Sequence, residues 1–163
     1  MTRSDQADRI LEGKIGYRFK DPALLIRALT RKAFAKEIKD KKKDQSCDDQ
    51  EIFRTLGDAV LKLILVDSLA KALVPTREEI TLKKIELERK ETLFRLALKI
   101  GIGPYIRVNT GERKQGADKQ PYVLAETLEA ILGAIYLDRG IGAARDAVIR
   151  WYGPEIPPPA EDS

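Results

Sequence analysis

The ten residues EIFRTLGDAV, Glu51 to Val60, decide how this chain is read, because they have the pattern of a helix and yet set acids around a glycine. Glu51 and Asp58 stand seven apart, two helical turns, so they project from nearly the same face with Arg54 between them. A glycine inside a helix costs about 1 kcal/mol relative to alanine, so Gly57 implies that another backbone or a ligand comes close there. A partner of the same design lies downstream. AETLEAILGA, Ala125 to Ala134, places Glu126 and Glu129 three apart on one face and continues that face with Gly133.

Two helices crossing at such glycines would pool three or four carboxylates. Oxygen-only ligands suit a hard divalent cation, Mg²⁺ or Mn²⁺, and such ions hydrolyse phosphodiesters by activating water and neutralising developing charge. The same spacing also suits two ordinary amphipathic helices whose acids are solvated or ion-paired.

Four segments, taken in order, resemble the catalytic domain of the ribonuclease III family, the metal-dependent endonucleases of double-stranded RNA. IGYRFKDPALLIRALT, Ile15 to Thr30, is similar to the opening LGYxFxxxxLLxxALTH, and EIFRTLGDAV is similar to ExLEFLGD. TLKKIELERKETLFRLA, Thr81 to Ala97, resembles the helix that follows, and LAETLEAILGAIYLD, Leu124 to Asp138, resembles LADxxEAxIGAxYLD. The resemblance implies an all-α ribonuclease III-like fold, a helical bundle around a long buried central helix. It implies that Asp58 and Glu129 are catalytic and that Asp58, Glu126 and Glu129 hold Mg²⁺ (or Mn²⁺), with Glu51 binding directly or through water. It also implies a homodimer, with one active site for each strand of a duplex and an interface that includes the helix from Glu51 to Asp58 and apolar residues near Phe53.

The departures are specific. Glu126 stands where the family usually has Asp, and Thr55 stands where it has a dimer-packing Phe. Arg31 replaces the His that ends ALTH, and Arg54 replaces a metal-binding Glu, a loss shared by the minimal branch of the family. A guanidinium keeps its charge, so Arg54 is expected to modulate the site by pairing with Asp58 or Glu129 and competing with metal. The alternative is a catalytically weak or inactive relative that binds structured RNA or a ribonucleoprotein, or a helical scaffold.

At 163 residues the chain is one domain long: a catalytic domain over 1–153 and a Pro-rich, acidic, disordered tail over 154–163, with no room for a separate RNA-binding domain. Thirty Lys plus Arg against 26 Asp plus Glu give a net charge of +4, compatible with a polyanionic partner. Two lysine-rich stretches, Lys36 to Ser46 and Thr110 to Gln120, read as exposed loops; the second is similar to a family loop near bound RNA, which assigns phosphate contacts to Arg113, Lys114 and Lys119. With no His, neither a Ser-His-Asp triad nor a paired-histidine nuclease mechanism is available, and the single Cys47 has no disulfide or zinc partner. No signal-peptide pattern or long apolar run appears, so no membrane is expected and the location is cytoplasmic.

The periodicity predicts helices over 5–11, 22–29, 48–73, 76–100, 121–140 and 143–152. Asp21 before Pro22 reads as an N-cap, AVLKLILV as apolar nearly all round and so the buried central helix, and Trp151 as a core residue.

Overall fold

A computed structural model describes residues 2–161; among them are eight α-helices, no strand and one isolated bridge pairing Thr30 with Arg107. The helices are α1 (Arg3–Ile15), α2 (Pro22–Ala28), α3 (Lys32–Lys41), α4 (Glu51–Lys71), α5 (Arg77–Glu88), α6 (Lys90–Ile100), α7 (Thr110–Lys114) and α8 (Pro121–Tyr152), the last kinked at Gly140, whose φ of 81° and ψ of −171° are non-helical. Local chemistry sets several ends. Thr2 and Asp5 form a capping box on α1, Gly16 closes it in the left-handed region at φ 78°, and the Asp21 carboxylate accepts from the Ala23 N–H ahead of Pro22.

The core gathers around α4 and α8. Ile64, Leu65 and Leu69 of α4 are buried, as are Leu128, Ile131 and Ile135 of α8. The two helices meet at their glycines: a Cβ on Gly57 would lie 1.7 Å from the Glu129 carbonyl oxygen, and one on Gly133 would lie 2.2 Å from the Phe53 carbonyl oxygen. This is the close approach that Gly57 implied. Trp151 is buried and donates its indole N–H to the Ile15 carbonyl at 2.9 Å. The Asp138 carboxylate accepts from the Tyr17 hydroxyl at 2.6 Å and the Lys20 N–H at 2.8 Å, tying α8 to the segment between α1 and α2.

Four expectations need correction. The first lysine-rich stretch is largely helical, because lysine is a good helix former and α3 gains a buried contact at Ala35. The helix expected over 76–100 breaks at Arg89 (φ −66°, ψ 153°), where the Thr92 hydroxyl donates to the Glu86 carbonyl at 2.8 Å. Part of the Pro-rich tail is packed: Ile156 is buried, Glu155 meets Arg95 at 2.6 Å, and the Ala160 N–H donates to the Lys71 carbonyl at 3.0 Å. Residues 162–163 of that tail lie outside the described ones.

The fourth concerns α4, which is not buried on all sides. Ile52, Leu56, Ala59, Leu63, Val66 and Ala70 follow one another at alternating spacings of four and three, and all but the half-buried Leu56 are exposed, Ile52 at 66% and Leu63 at 58%. The helix carries two apolar faces beside its charged strip, and one of them is unpartnered among the described residues. Phe53 points the other way, buried with the Arg27 guanidinium 4.6 Å above its ring.

Candidate active site

Helix α4 supplies Glu51, Arg54 and Asp58, and α8 supplies Glu126 and Glu129. The glycine crossing brings the two sets together, since the Gly57 position abuts the Glu129 backbone and Asp58 is its neighbour in sequence. The start of α4 is fixed by Gln50, a buried residue with no signal in the sequence pattern. Its N–H donates to the Thr30 carbonyl at 2.9 Å, and its side-chain amide donates to the Ala28 carbonyl at 2.8 Å and the Thr127 hydroxyl at 3.3 Å.

The acids have different partners. Arg54 does not pair with Asp58 or Glu129 as expected; its Nη1 lies 3.1 Å from Glu126 Oε2 and 3.7 Å from Glu51 Oε1. The same Glu126 oxygen accepts from Arg31 Nη1 at 3.2 Å, so one carboxylate lies under two guanidiniums. In the sequence, Arg31 stands out only as a departure from the family pattern. Its backbone is held by the 3.1 Å bond to the Arg107 carbonyl, and its Nη2 reaches Glu112 of α7 at 3.1 Å. Asp58 accepts from Lys62 at 2.8 Å, an exposed pair one turn apart on α4.

Glu129 has no ion-pair partner among the described residues and is half-buried. Burial, then the charge of Asp58 and with less weight that of Glu126, push its carboxyl up to about 7, while Arg54 and Lys90 pull it down. Glu88 joins this neighbourhood without any sequence signal: its charge, like those of Asp58 and Glu129, holds Lys62 in the protonated form, and its Oε2 is buried without a partner.

A folded-state value above the ordinary 4.5 means that the native protein holds this proton more tightly than the unfolded chain. The stabilisation is complete below the unfolded value and is lost as pH rises through about 7. Glu129→Gln cannot ionise and escapes that loss. Its melting temperature in chelator should match the wild type near pH 4.5 and exceed it at pH 8, whereas parallel curves would place Glu129 in ordinary solvent.

Among the described residues, no group of three or more acidic, histidine or cysteine side chains converges tightly enough to hold one metal ion. Two acids remain uncommitted to guanidinium, Asp58 and Glu129. Mg²⁺ is commonly held by one or two carboxylates, with water and substrate phosphate filling its shell, so this pair fits it; Mn²⁺ takes the same oxygen ligands.

The candidate RNA-contacting residues stand beside this cluster. Arg113, Lys114 and Lys119 are exposed on and after α7, which is a helix where the sequence suggested irregular chain. Asn109 caps it by accepting from the Glu112 N–H at 2.7 Å. Glu37 of α3 accepts from the Thr110 N–H at 3.0 Å, and the Glu112–Arg31–Glu126 ion pairs join α7 to α8.

A family model described as Ribonuclease-III-like matches residues 21–156. The chain is 36% identical over 154 residues to Ribonuclease 3 of Pseudomonas aeruginosa, covering 94% of this chain and 62% of that protein. It is 36% identical over 152 residues to Ribonuclease 3 of Bdellovibrio bacteriovorus, with 92% and 62% covered. The chain thus spans about three-fifths of the length of the curated relatives it matches. The nuclease domain of ribonuclease III from Campylobacter jejuni, in a structure noted for flexibility in a region involved in dimer formation, superposes with a TM-score of 0.78 at 30% identity, over 90% of this chain and 96% of that one. A second structure of that nuclease domain gives 0.77 at 29% identity, with 93% and 96% covered. With the matched segment running through both acid-bearing helices and the all-helical fold shared, the chain belongs to the ribonuclease III family.

Proposed function

We propose that this chain is a metal-dependent endoribonuclease that hydrolyses phosphodiester bonds of double-stranded RNA, working as a homodimer in the cytoplasm. The observation that carries it is the glycine crossing of α4 and α8, which sets Asp58 beside Glu129 and leaves a half-buried carboxyl pushed up to about 7. Two acids that repel each other in this way are what a divalent cation relieves. Asp58 and Glu129 would hold Mg²⁺ or Mn²⁺; Glu126 and Glu51, nominated with them by sequence, are engaged by guanidiniums and support the site from behind. When bound, the ion supplies an activated water and neutralises charge on the leaving 3′-oxygen.

The chain's own groups do the rest. The packed backbones at Gly57 and Gly133 fix Asp58 against Glu129, and Lys62 holds the Asp58 carboxylate in one orientation until it is displaced. Arg113, Lys114 and Lys119 would contact phosphates through the A-form shape of the duplex rather than its sequence. No helix among the described residues is long and apolar enough to cross a membrane.

The exposed stripe from Ile52 to Ala70 supports the dimer, since a heptad-spaced apolar face on one helix is self-complementary across a two-fold axis. Exposed Thr55 lies at its edge. Leu63→Arg places a charge at the middle of that face without touching the protomer core. It should shift the protein from dimer to monomer at about tens of micromolar in sedimentation, with helicity retained; an unchanged dimer would remove α4 from the interface.

The function itself is tested by incubating the purified chain with a long duplex RNA. Cleavage should require Mg²⁺ or Mn²⁺, stop with chelator and spare a single strand of the same sequence. Binding without cleavage at any metal concentration would favour an inactive RNA-binding relative instead.

A further inference from the structure

We propose that Arg54 is a substrate-binding residue, its guanidinium anchored along one edge by Glu126 and Glu51 so that the opposite edge receives a phosphodiester oxygen of the RNA backbone. This rests on the proposal that duplex RNA occupies the α4–α8 site, and it gives Arg54 a role of its own there.

The geometry of the anchor comes first. The nearest approach of Arg54 to each acid is through Nη1, to Glu126 Oε2 at 3.1 Å and to Glu51 Oε1 at 3.7 Å. A guanidinium carries five N–H donors in a rigid fork, so Nε and Nη2 remain for another acceptor. The side chain is 33% exposed, so it is within reach of a ligand from solvent. Glu126, by contrast, is mostly buried and is itself fixed by Arg31, which is held at its backbone by Arg107 and at its guanidinium by Glu112. The anchor is therefore part of the framework and not a pair of mobile surface side chains.

The charge balance gives the reason for such a residue. Asp58 and Glu129, the two acids without a guanidinium, repel a polyanion, and Lys62 is committed to Asp58. A forward-facing cation is needed before a phosphate can approach, and a planar guanidinium matches phosphate oxygens bidentately where an ammonium would not. Arg54 lies one turn before Asp58 on α4, so a phosphate held by it sits next to the Asp58–Glu129 pair. Stability alone does not account for the arrangement, because partly exposed ion pairs contribute little. The Glu112–Arg31–Glu126 bridge also ties α7, which carries Arg113 and Lys114, to the acid that holds Arg54.

Duplex RNA binding by the full chain, measured in chelator over a series of salt concentrations, isolates this role from metal and from cleavage. Arg54→Ala should weaken binding roughly tenfold and reduce the slope of log affinity against log salt by about one. Arg54→Lys should restore the slope and only part of the affinity, because it keeps the charge and loses the fork. Equal affinity and equal slope in wild type and Arg54→Ala overturn the inference, as does wild type that binds no duplex in chelator. Should the wild type bind but never cleave with metal, the hydrolase proposal fails, while a loss on Arg54→Ala still establishes the phosphate contact.

Discussion

Asp58→Asn and Glu129→Gln should each lower the rate of duplex cleavage by about a thousandfold or more while leaving the fold intact. Each substitution removes one carboxylate and changes almost no volume, so what would be lost under the proposed function is the ability to hold a divalent cation. That ion contributes several kcal/mol of charge stabilisation at the transition state, and about 1.4 kcal/mol corresponds to each tenfold in rate. Neither change should unfold the protein. Asp58 sits at the surface in a pair with Lys62, and Glu129→Gln relieves repulsion in a half-buried position. The measurement is single-turnover cleavage at saturating Mg²⁺, with circular dichroism and melting temperature as controls. Full activity in either variant would remove that residue from the site.

Gly57→Ala should lower the melting temperature by about ten degrees. A methyl at this position would lie 1.7 Å from the Glu129 carbonyl oxygen and 2.6 Å from its carbon, both backbone atoms that cannot rotate aside. The helices must separate, and the contacts of Ile64 and Leu65 with the α8 side of the core loosen with them. Overpacking commonly costs 1–3 kcal/mol, and a backbone neighbour puts this case at about 3 kcal/mol or more; a domain of this length loses roughly 2–4 °C per kcal/mol. Gly133→Ala, 2.2 Å from the Phe53 carbonyl, should behave alike. Gly142→Ala is the control, since no atom stands within 4 Å of its added Cβ and it should leave stability unchanged or raise it. If Gly57→Ala melts with the wild type, α4 and α8 do not cross at this separation. The same variant should also lose activity, because the crossing is what sets Asp58 against Glu129.

Features carried by strong local chemistry were legible in the sequence. Gly57 and Gly133 marked the helix crossing, Asp21 and Pro22 marked the start of α2, and the size of Trp151 put it in the core. Features set by tertiary competition were not. Nothing in the run around Arg89 breaks a helix by propensity; the break is associated with a hydroxyl contact three residues on and with the anchoring of the α5 end, where the Tyr152 hydroxyl donates to the Leu87 carbonyl at 2.7 Å. The second apolar face of α4 was hidden because a helix apolar on two sides reads as one apolar on all. Within the site, helical spacing placed Arg54 among the acids, yet its pairing with Glu126, a carboxylate shared with Arg31 from far along the chain, is set by tertiary structure. The tail was misjudged by composition, since its one large apolar residue, Ile156, is enough to pin it against the bundle.

The most direct measurement is the chemistry of the product ends after duplex RNA is incubated with Mg²⁺ and the wild-type chain, with Asp58→Asn alongside. Water attack with departure of the 3′-oxygen leaves 5′-phosphate and 3′-hydroxyl ends, and these should appear with the wild type, vanish in chelator and be absent with Asp58→Asn. Ends carrying a 2′,3′-cyclic phosphate, or the same ends produced equally by Asp58→Asn, would show that hydrolysis at the Asp58–Glu129 site is not what this protein performs.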